Sequence, residues 1–115
     1  MKNTKKTEML KKNYEFKEVL TRGNYYGGSQ IEAFVKSHNL EINFLGIAVS
    51  KKTGKAALRN RIKRLIRENY RLLETNMNTG HSLVFLWKKK VDPKNASFEE
   101  IKQDMEKILK KAGIL

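Results

Sequence analysis

One stretch of the chain decides the fold: NFLGIAVSKKTGKAALRNRIKRLIRENY, residues 43–70. Its first eight residues alternate between two faces, which is the pattern of a β-strand; Leu45, Ile47 and Val49 share one face, and Phe44, Gly46, Ala48 and Ser50 share the other. A basic loop centred on Gly54 follows, and apolar residues then recur at helical spacing. The stretch therefore predicts a strand over residues 43–50, a loop, and a helix over residues 58–77.

The flanking sequence extends this pattern in both directions. Upstream, the spacing predicts a short helix over residues 14–22, with Asn13 as N-cap and Gly23 as stop, a loop over residues 24–29, and a strand over residues 30–36. Downstream, it predicts a central strand over residues 81–89 and a last helix opened by the capping box Ser97–Glu100. The result is an α+β fold, an α/β sandwich of order α-β-β-α-β-α, whose small sheet of three to four strands packs against helices.

Length and composition bound the domain organisation. The 115 residues suffice for one domain, and residues 1–12 are predicted to be a basic, flexible tail that precedes a single RNA-binding domain over residues 13–115. The absence of cysteine excludes disulfides and thiol chemistry. No apolar run is long enough for a membrane span, and the amino terminus lacks the pattern of a signal peptide. We therefore expect a cytoplasmic protein without a membrane partner or a small-molecule substrate.

Charge points to a polyanionic partner. The formal net charge is +13, from 25 basic and 12 acidic residues. The excess positive charge is concentrated between residues 51 and 71, which contain nine basic residues and one acid, Glu68. Like charges four residues apart on a helix are destabilising unless an anion lies beside them, and arginine suits bidentate binding of phosphate. The candidate contacts are Lys51, Lys52, Lys55, Arg59, Arg61, Lys63, Arg64, Arg67 and Arg71.

The same run resembles a known motif. A basic loop with glycine, followed by Arg-Asn-Arg-x-Lys-Arg-x-x-Arg, is similar to the "RNR" signature of the bacterial ribonuclease P protein component, and the similarity covers nearly the whole chain. The resemblance adds Asn60 to the basic set. It implies a left-handed β-α-β crossover and a partnership with a catalytic RNA, which holds the Mg²⁺ ions and cleaves the 5′ leader from precursor tRNA. The protein would bind both RNAs, and no catalytic or metal-binding residue is assigned to this chain.

The resemblance also implies a cleft for the single-stranded leader, between the first helix and the sheet. Phe16 matches a stacking position of the family, and its neighbour one turn later is Leu20. Phe34 lies between charged residues on its strand, with Lys36 on the same side. A single strand is held by aromatic stacking in a basic groove, and small residues would admit its backbone; these are Gly46, Ala48 and Ser50. Packing in the core is an equally good interpretation of Phe16.

Rival functions find less support in the residues. A self-sufficient nuclease needs clustered carboxylates or paired histidines, whereas His38 and His81 are predicted to be isolated surface residues and Asp104 to belong to a solvated helix face. A protein that only binds structured RNA would use the same basic helix and remains an alternative. A helix-turn-helix is disfavoured because no short preceding helix completes it. A membrane-surface helix is disfavoured because the domain needs the helix's apolar face for its core.

Overall fold

The computed structural model describes residues 6–115, and in this range it contains one five-stranded sheet and three α-helices. The strands are β1 (Thr7–Met9), β2 (Asn24–Gly27), β3 (Ile31–Ser37), β4 (Asn43–Ala48) and β5 (His81–Trp87). The helices are α1 (Asn13–Arg22), α2 (Ala56–Glu74) and α3 (Phe98–Lys111), and two short 3₁₀ turns cover Lys51–Thr53 and Pro93–Asn95. The predicted mixed α+β class is confirmed.

The strand order in the sheet is β1-β4-β5-β3-β2. Strand β5 lies in the centre, parallel to β4 and antiparallel to β3, and α2 forms the crossover between the two parallel strands. The sequence of β5 is apolar on both faces because both faces of a central strand are covered. The central position of this strand is therefore as predicted, while the left hand of the crossover stays a prediction.

The sheet separates two layers of different size. Helices α2 and α3 cover one face, where Ile62, Ile66, Ile101 and Ile108 pack against inward-facing strand residues such as Phe85. Helix α1 lies on the opposite face, where Val19 of α1 and Val84 of β5 are both fully buried. Because α1 is short, it covers only part of that face. The uncovered part is where the sequence predicts the cleft.

The predicted amino-terminal tail is wrong for residues 6–12. Residues 7–9 form β1, which pairs in parallel with Asn43, Phe44 and Leu45 of β4, and α1 begins at Asn13 with Lys12 rather than Asn13 as its N-cap. Lys6 donates from Nζ to the carbonyl oxygens of Glu74, Thr75 and Met77 at 3.3, 3.0 and 3.3 Å, at the end of α2. Residues 1–5 of that predicted tail lie outside the described residues.

Strand β2 falls where the sequence predicts a loop, which raises the strand count to five. Two glycines suggested the loop, but Asn24–Gly27 pairs with β3, and Asp104 of α3 fixes the turn that follows. The buried carboxylate of Asp104 accepts hydrogen bonds from the backbone amides of Ser29, Gln30 and Ile31 at 2.9, 2.7 and 3.1 Å. Asp104 is therefore a structural clamp, and its predicted place on a solvated face is wrong.

Most helix ends and faces agree with the sequence; besides the N-cap of α1, the differences lie in α2, which begins at Ala56 rather than residue 58. Ser97 caps α3 by accepting from the amide of Glu100, as the capping box predicts. Gly23 follows the last residue of α1, as predicted. The position requires glycine, because a Cβ there would lie 2.5 Å from the carbonyl oxygen of Val19. Helix α2, however, ends at Glu74 rather than residue 77, and Leu72, predicted to face the core, is exposed. Tyr70 is buried in its place.

Candidate nucleic-acid interface

The basic loop between β4 and α2 has a defined shape. Ser50 caps the 3₁₀ turn Lys51–Thr53, since its Oγ accepts from the amide of Lys52 at 3.2 Å. Arg59, in the first turns of α2, donates from Nη1 to the carbonyl oxygen of Gly54 at 2.6 Å. The two side chains fix the loop from both ends. The lysines that the loop carries, Lys51, Lys52 and Lys55, are all exposed.

The arginines of the signature have different local partners. Arg61 donates from Nη1 to the carbonyl oxygen of Ala96 at 3.1 Å, which joins α2 to the segment before α3. Arg64 lies 3.9 Å from the carboxylate of Glu68 in an exposed pair of the kind that contributes little to stability. Asn60 is exposed and Lys63 is half-buried. Arg59 and Arg61 are thus partly committed to the fold, whereas Arg64 and Asn60 are accessible to a ligand.

The basic surface continues beyond the signature into a groove between β1 and α2. The groove has a volume of about 640 Å³, and its lining includes Arg67, Arg71 and Tyr70. The Tyr70 hydroxyl lies 2.8 Å from Oγ1 of Thr7, which links the two elements across its floor. Burial raises the pKa of Tyr70 to about 12, so the tyrosine stays neutral. Both arginines therefore line a groove together with Lys6, Glu74 and a tyrosine that is neutral at neutral pH.

The predicted cleft residues share one face of the sheet. The strand register sets Gly46 of β4, Val84 of β5 and Phe34 of β3 side by side in one row, and Ala48 lies in the next row beside Leu86. Phe16 of α1 packs directly on Gly46, where a Cβ would lie 2.5 Å from its ring. The glycine is therefore required for the close approach of α1, whereas the sequence analysis predicted that it would admit the backbone of a leader.

Three other cleft residues lie at the margins. Leu20 is one turn beyond Phe16 on α1 and is 37% exposed. Lys36 points to the same face as Phe34, but its ammonium lies 3.7 Å from the carboxylate of Glu18 on α1. Ser50 caps the basic loop and so connects the cleft strand to it. The structure therefore brings Phe16, Phe34, Gly46 and Ala48 together and places the other three around them.

The sequence interpretation missed one aromatic on this face. Tyr25, predicted to lie in a loop, is opposite Phe34 in β2, and the two rings meet edge to face with centroids 5.3 Å apart. Its hydroxyl donates to the carboxylate of Glu32 at 2.7 Å, which raises the pKa of Tyr25. Tyr26 packs against the core on the other face. The sequence carries no signal for this difference, because Tyr25 and Tyr26 are the same residue type and only the strand pairing sets them on opposite faces.

The acidic residues and histidines near these surfaces have structural roles. Backbone amides of Lys12 and Lys11 donate to the Glu15 carboxylate and lower its pKa. His81 is half-buried beside His38, so the two histidines are neighbours rather than isolated; burial lowers the pKa of His81 and the charge of His38 lowers it further.

Within residues 6–115, no three of the His, Asp and Glu side chains form a group that could hold a metal ion. Nor does any helix in that range have the length and hydropathy to span a membrane.

Known proteins share both the sequence and this geometry. Residues 4–113 match the family model of ribonuclease P. The chain is 40% identical over 110 residues to the ribonuclease P protein component of Clostridium botulinum (strain Langeland), with 95% of this chain and 97% of that protein covered. It is 39% identical over 109 residues to that of Caldanaerobacter subterraneus, with 95% and 92% covered.

The chain belongs to the ribonuclease P protein family.

Solved structures of the family have the same fold. The ribonuclease P protein of Staphylococcus aureus superposes with a TM-score of 0.79 at 29% identity, covering 92% of this chain and 95% of that one. The Thermotoga maritima protein superposes with a TM-score of 0.80 at 24% identity, covering 90% and 96%, which shows the fold alone. Membership of the ribonuclease P family confirms the resemblance seen in the sequence and gives the chain a role in a tRNA-processing ribonuclease complex.

Proposed function

We propose that this chain is the RNA-binding protein subunit of a ribonuclease P holoenzyme in the cytoplasm. In this proposal its basic surface binds the catalytic RNA, and its cleft binds the 5′ leader of precursor tRNA. The observation that carries the proposal is the continuity of the two surfaces: β4 supplies Gly46 and Ala48 to the cleft and leads through Ser50 into the basic loop. An RNA on the loop and a leader in the cleft would therefore be neighbours.

The catalytic-RNA surface is supported by charge and by shape. It comprises the predicted residues Lys51, Lys52, Lys55, Arg59, Asn60, Arg61, Lys63, Arg64, Arg67 and Arg71. Binding along such a surface releases counterions from the RNA, so the affinity is expected to fall steeply with salt. The bond from Arg59 to Gly54 supports binding in a second way, because it orders the loop before the RNA arrives.

The leader surface is supported by its aromatic rings and small residues. Phe34 and Phe16 are both only half-buried on the face that α1 leaves open, so each ring retains accessible area for a base. Base–aromatic stacking tolerates any sequence, since every base has a π-face. A leader-binding cleft of this kind would serve precursor tRNAs with different leaders.

We propose that the RNA subunit performs the hydrolysis and holds the Mg²⁺ that the reaction uses. The acids nearest the cleft are already engaged within the protein: Glu32 accepts from Tyr25, and Glu18 pairs with Lys36. The part of this chain would be to bind and orient the two RNAs, which raises the local concentration of substrate at the catalytic RNA.

The test is cleavage of a precursor tRNA at low Mg²⁺ with the catalytic RNA encoded in the same genome. Three reactions are compared: RNA alone, protein alone, and the two together. Cleavage at the mature 5′ end only when both are present supports the proposal. Cleavage by the protein alone would move the chemistry onto this chain. Tight, salt-sensitive RNA binding without any gain in cleavage would instead favour a protein that only binds structured RNA.

A further inference from the structure

We infer that Tyr25 is a leader-binding residue, which contacts leader nucleotides farther from the cleavage site than those at Phe34. The inference rests on the proposed function, since it extends the proposed cleft to the outer strand β2. It starts from a row of four residues that the register places side by side across four strands, Gly46, Val84, Phe34 and Tyr25. With neighbouring strands about 4.8 Å apart, the row spans about 14 Å.

The Tyr25 ring is held in place before any ligand arrives. One edge meets the Phe34 ring, the hydroxyl donates to Glu32, and the ring lies against Gly27, where a Cβ would be 2.9 Å from the hydroxyl oxygen. Even so, the side chain is 52% exposed. An ordered aromatic ring with half of its surface free gives a base a stacking surface at little entropic cost.

The hydroxyl group of Tyr25 also contacts an acid on this face of the sheet. Glu32 lies two residues before Phe34 on β3, opposite Gly27 of β2, and its carboxylate would repel the phosphates of a leader. The hydrogen bond from Tyr25 at 2.7 Å occupies one oxygen of that carboxylate. The single tyrosine therefore supplies stacking area and holds the Glu32 carboxylate, which keeps its charge, in a fixed position.

The position of Tyr25 gives the direction along the leader. The basic loop leaves the sheet from β4, so the catalytic RNA is expected on the β4 side of the row. Gly46 and Val84 are buried, and the Phe16 ring covers Gly46, so a leader that comes from that side first meets the accessible Phe34 on β3 and then Tyr25 on β2. Short leaders would end before Tyr25, and only longer ones would contact it.

The test measures the affinity of the reconstituted holoenzyme for precursor tRNAs whose leaders grow one nucleotide at a time. Tyr25→Ala is expected to bind short-leader substrates like the wild type and to lose at least about fivefold in affinity once the leader reaches β2, since each base stack contributes about 1–3 kcal/mol. Phe34→Ala should lose affinity at shorter leaders, and neither variant should change binding of mature tRNA. Tyr25→Phe, which keeps the ring, should retain most of the affinity.

Tyr14→Ala is the matched control, because Tyr14 is an exposed aromatic of α1 outside the row of Phe34 and Tyr25; the hollow that it lines includes Lys36 but neither of those aromatic residues. It should match the wild type at every leader length. If the wild type does discriminate leader length and Tyr25→Ala has the same affinities at all lengths, the inference about Tyr25 is overturned and the proposed leader cleft is not. A uniform loss at all lengths would overturn it too, as a structural effect. A wild type insensitive to the leader would overturn the proposed leader cleft as well.

Discussion

Arg59 and Gly54 are joined across the start of α2: the guanidinium Nη1 donates to the glycine carbonyl oxygen at 2.6 Å. This bond makes Arg59 a part of the loop's geometry as well as a positive charge. Arg64, five residues closer to the middle of the helix, has only the exposed carboxylate of Glu68 beside it at 3.9 Å. Substitutions of Arg59 and Arg64 should therefore weaken RNA binding for different reasons.

Arg64→Ala should weaken binding of the catalytic RNA chiefly through charge, reducing the slope of log affinity against log salt by about 0.7–0.9. Arg59→Lys keeps the charge but loses the planar donor group that reaches Gly54, so it should keep the salt slope and still bind more weakly. The measurement is a salt series of binding titrations with the catalytic RNA. Wild-type affinity of Arg59→Lys at every salt concentration would contradict the role of the bond.

Gly46→Ala should lower the free energy of unfolding by about 1–3 kcal/mol, the usual cost of overpacking. The new Cβ would lie 2.5 Å from the Phe16 ring, so α1 must shift and the cleft must change with it. Chemical denaturation measures the stability, and leader affinity should fall as well. Gly54→Ala is the control for stability, since a Cβ there meets its nearest atom at 3.4 Å on an extended backbone. Equal stability of the two variants would be inconsistent with this account.

Asp104→Asn should destabilise the fold by about 2 kcal/mol, because an amide nitrogen replaces an acceptor that faces backbone N–H donors. The carboxylate of Asp104 accepts from three successive backbone amides and from the Ser29 hydroxyl at 3.1 Å. Urea unfolding measures the loss. Glu99→Gln, an exposed change on the same helix, should stay within about 0.5 kcal/mol of wild type. A similar small effect at Asp104 would argue against the clamp.

Acid should destabilise the protein through His81. Its pKa in the fold is below the ordinary 6.5, so the unfolded chain binds more protons as the pH falls from above 6.5 toward the folded value. The stability that neutral His81 contributes is therefore complete above pH 6.5 and is lost through that window. Unfolding titrations across it should show the decrease, and His81→Gln should flatten it. An undiminished decrease in the variant would assign the effect to other groups.

Local patterns predicted most of the elements. The alternation in β4, the helical spacing of α2 and the Ser97 N-cap of α3 each depend on residues close in sequence, and all three are present. The second half of the predicted capping box is not formed, because the Ser97 amide donates to Oε1 of Gln30. Strand β1 could not be found in this way, because Thr7–Met9 is short and polar and becomes a strand only by pairing with residues 43–45. The same holds for Asp104, whose partners at residues 29–31 are some 75 positions away.

The candidate site was predictable in parts. The charge density of residues 51–71 marked the basic surface, but the sequence could not show that Arg59 and Arg61 also bond to backbone carbonyls. Phe34 stood out as an aromatic between charged residues. Tyr25 did not stand out, because its place beside Phe34 depends on the register of β2. That register is set by the turn after β2, which Asp104 of α3 stabilises.

The strand order has a consequence for how the chain folds during synthesis. Strands β3 and β4 follow each other in the sequence, yet neither pairs with the other, and both pair with β5. Until residue 87 has left the ribosome, the sheet lacks its centre and α2 has no complete surface to pack on. The arginine-rich segment is thus synthesised before the sheet that it packs on is complete, and it is exposed as a polycation among the RNAs of the ribosome itself.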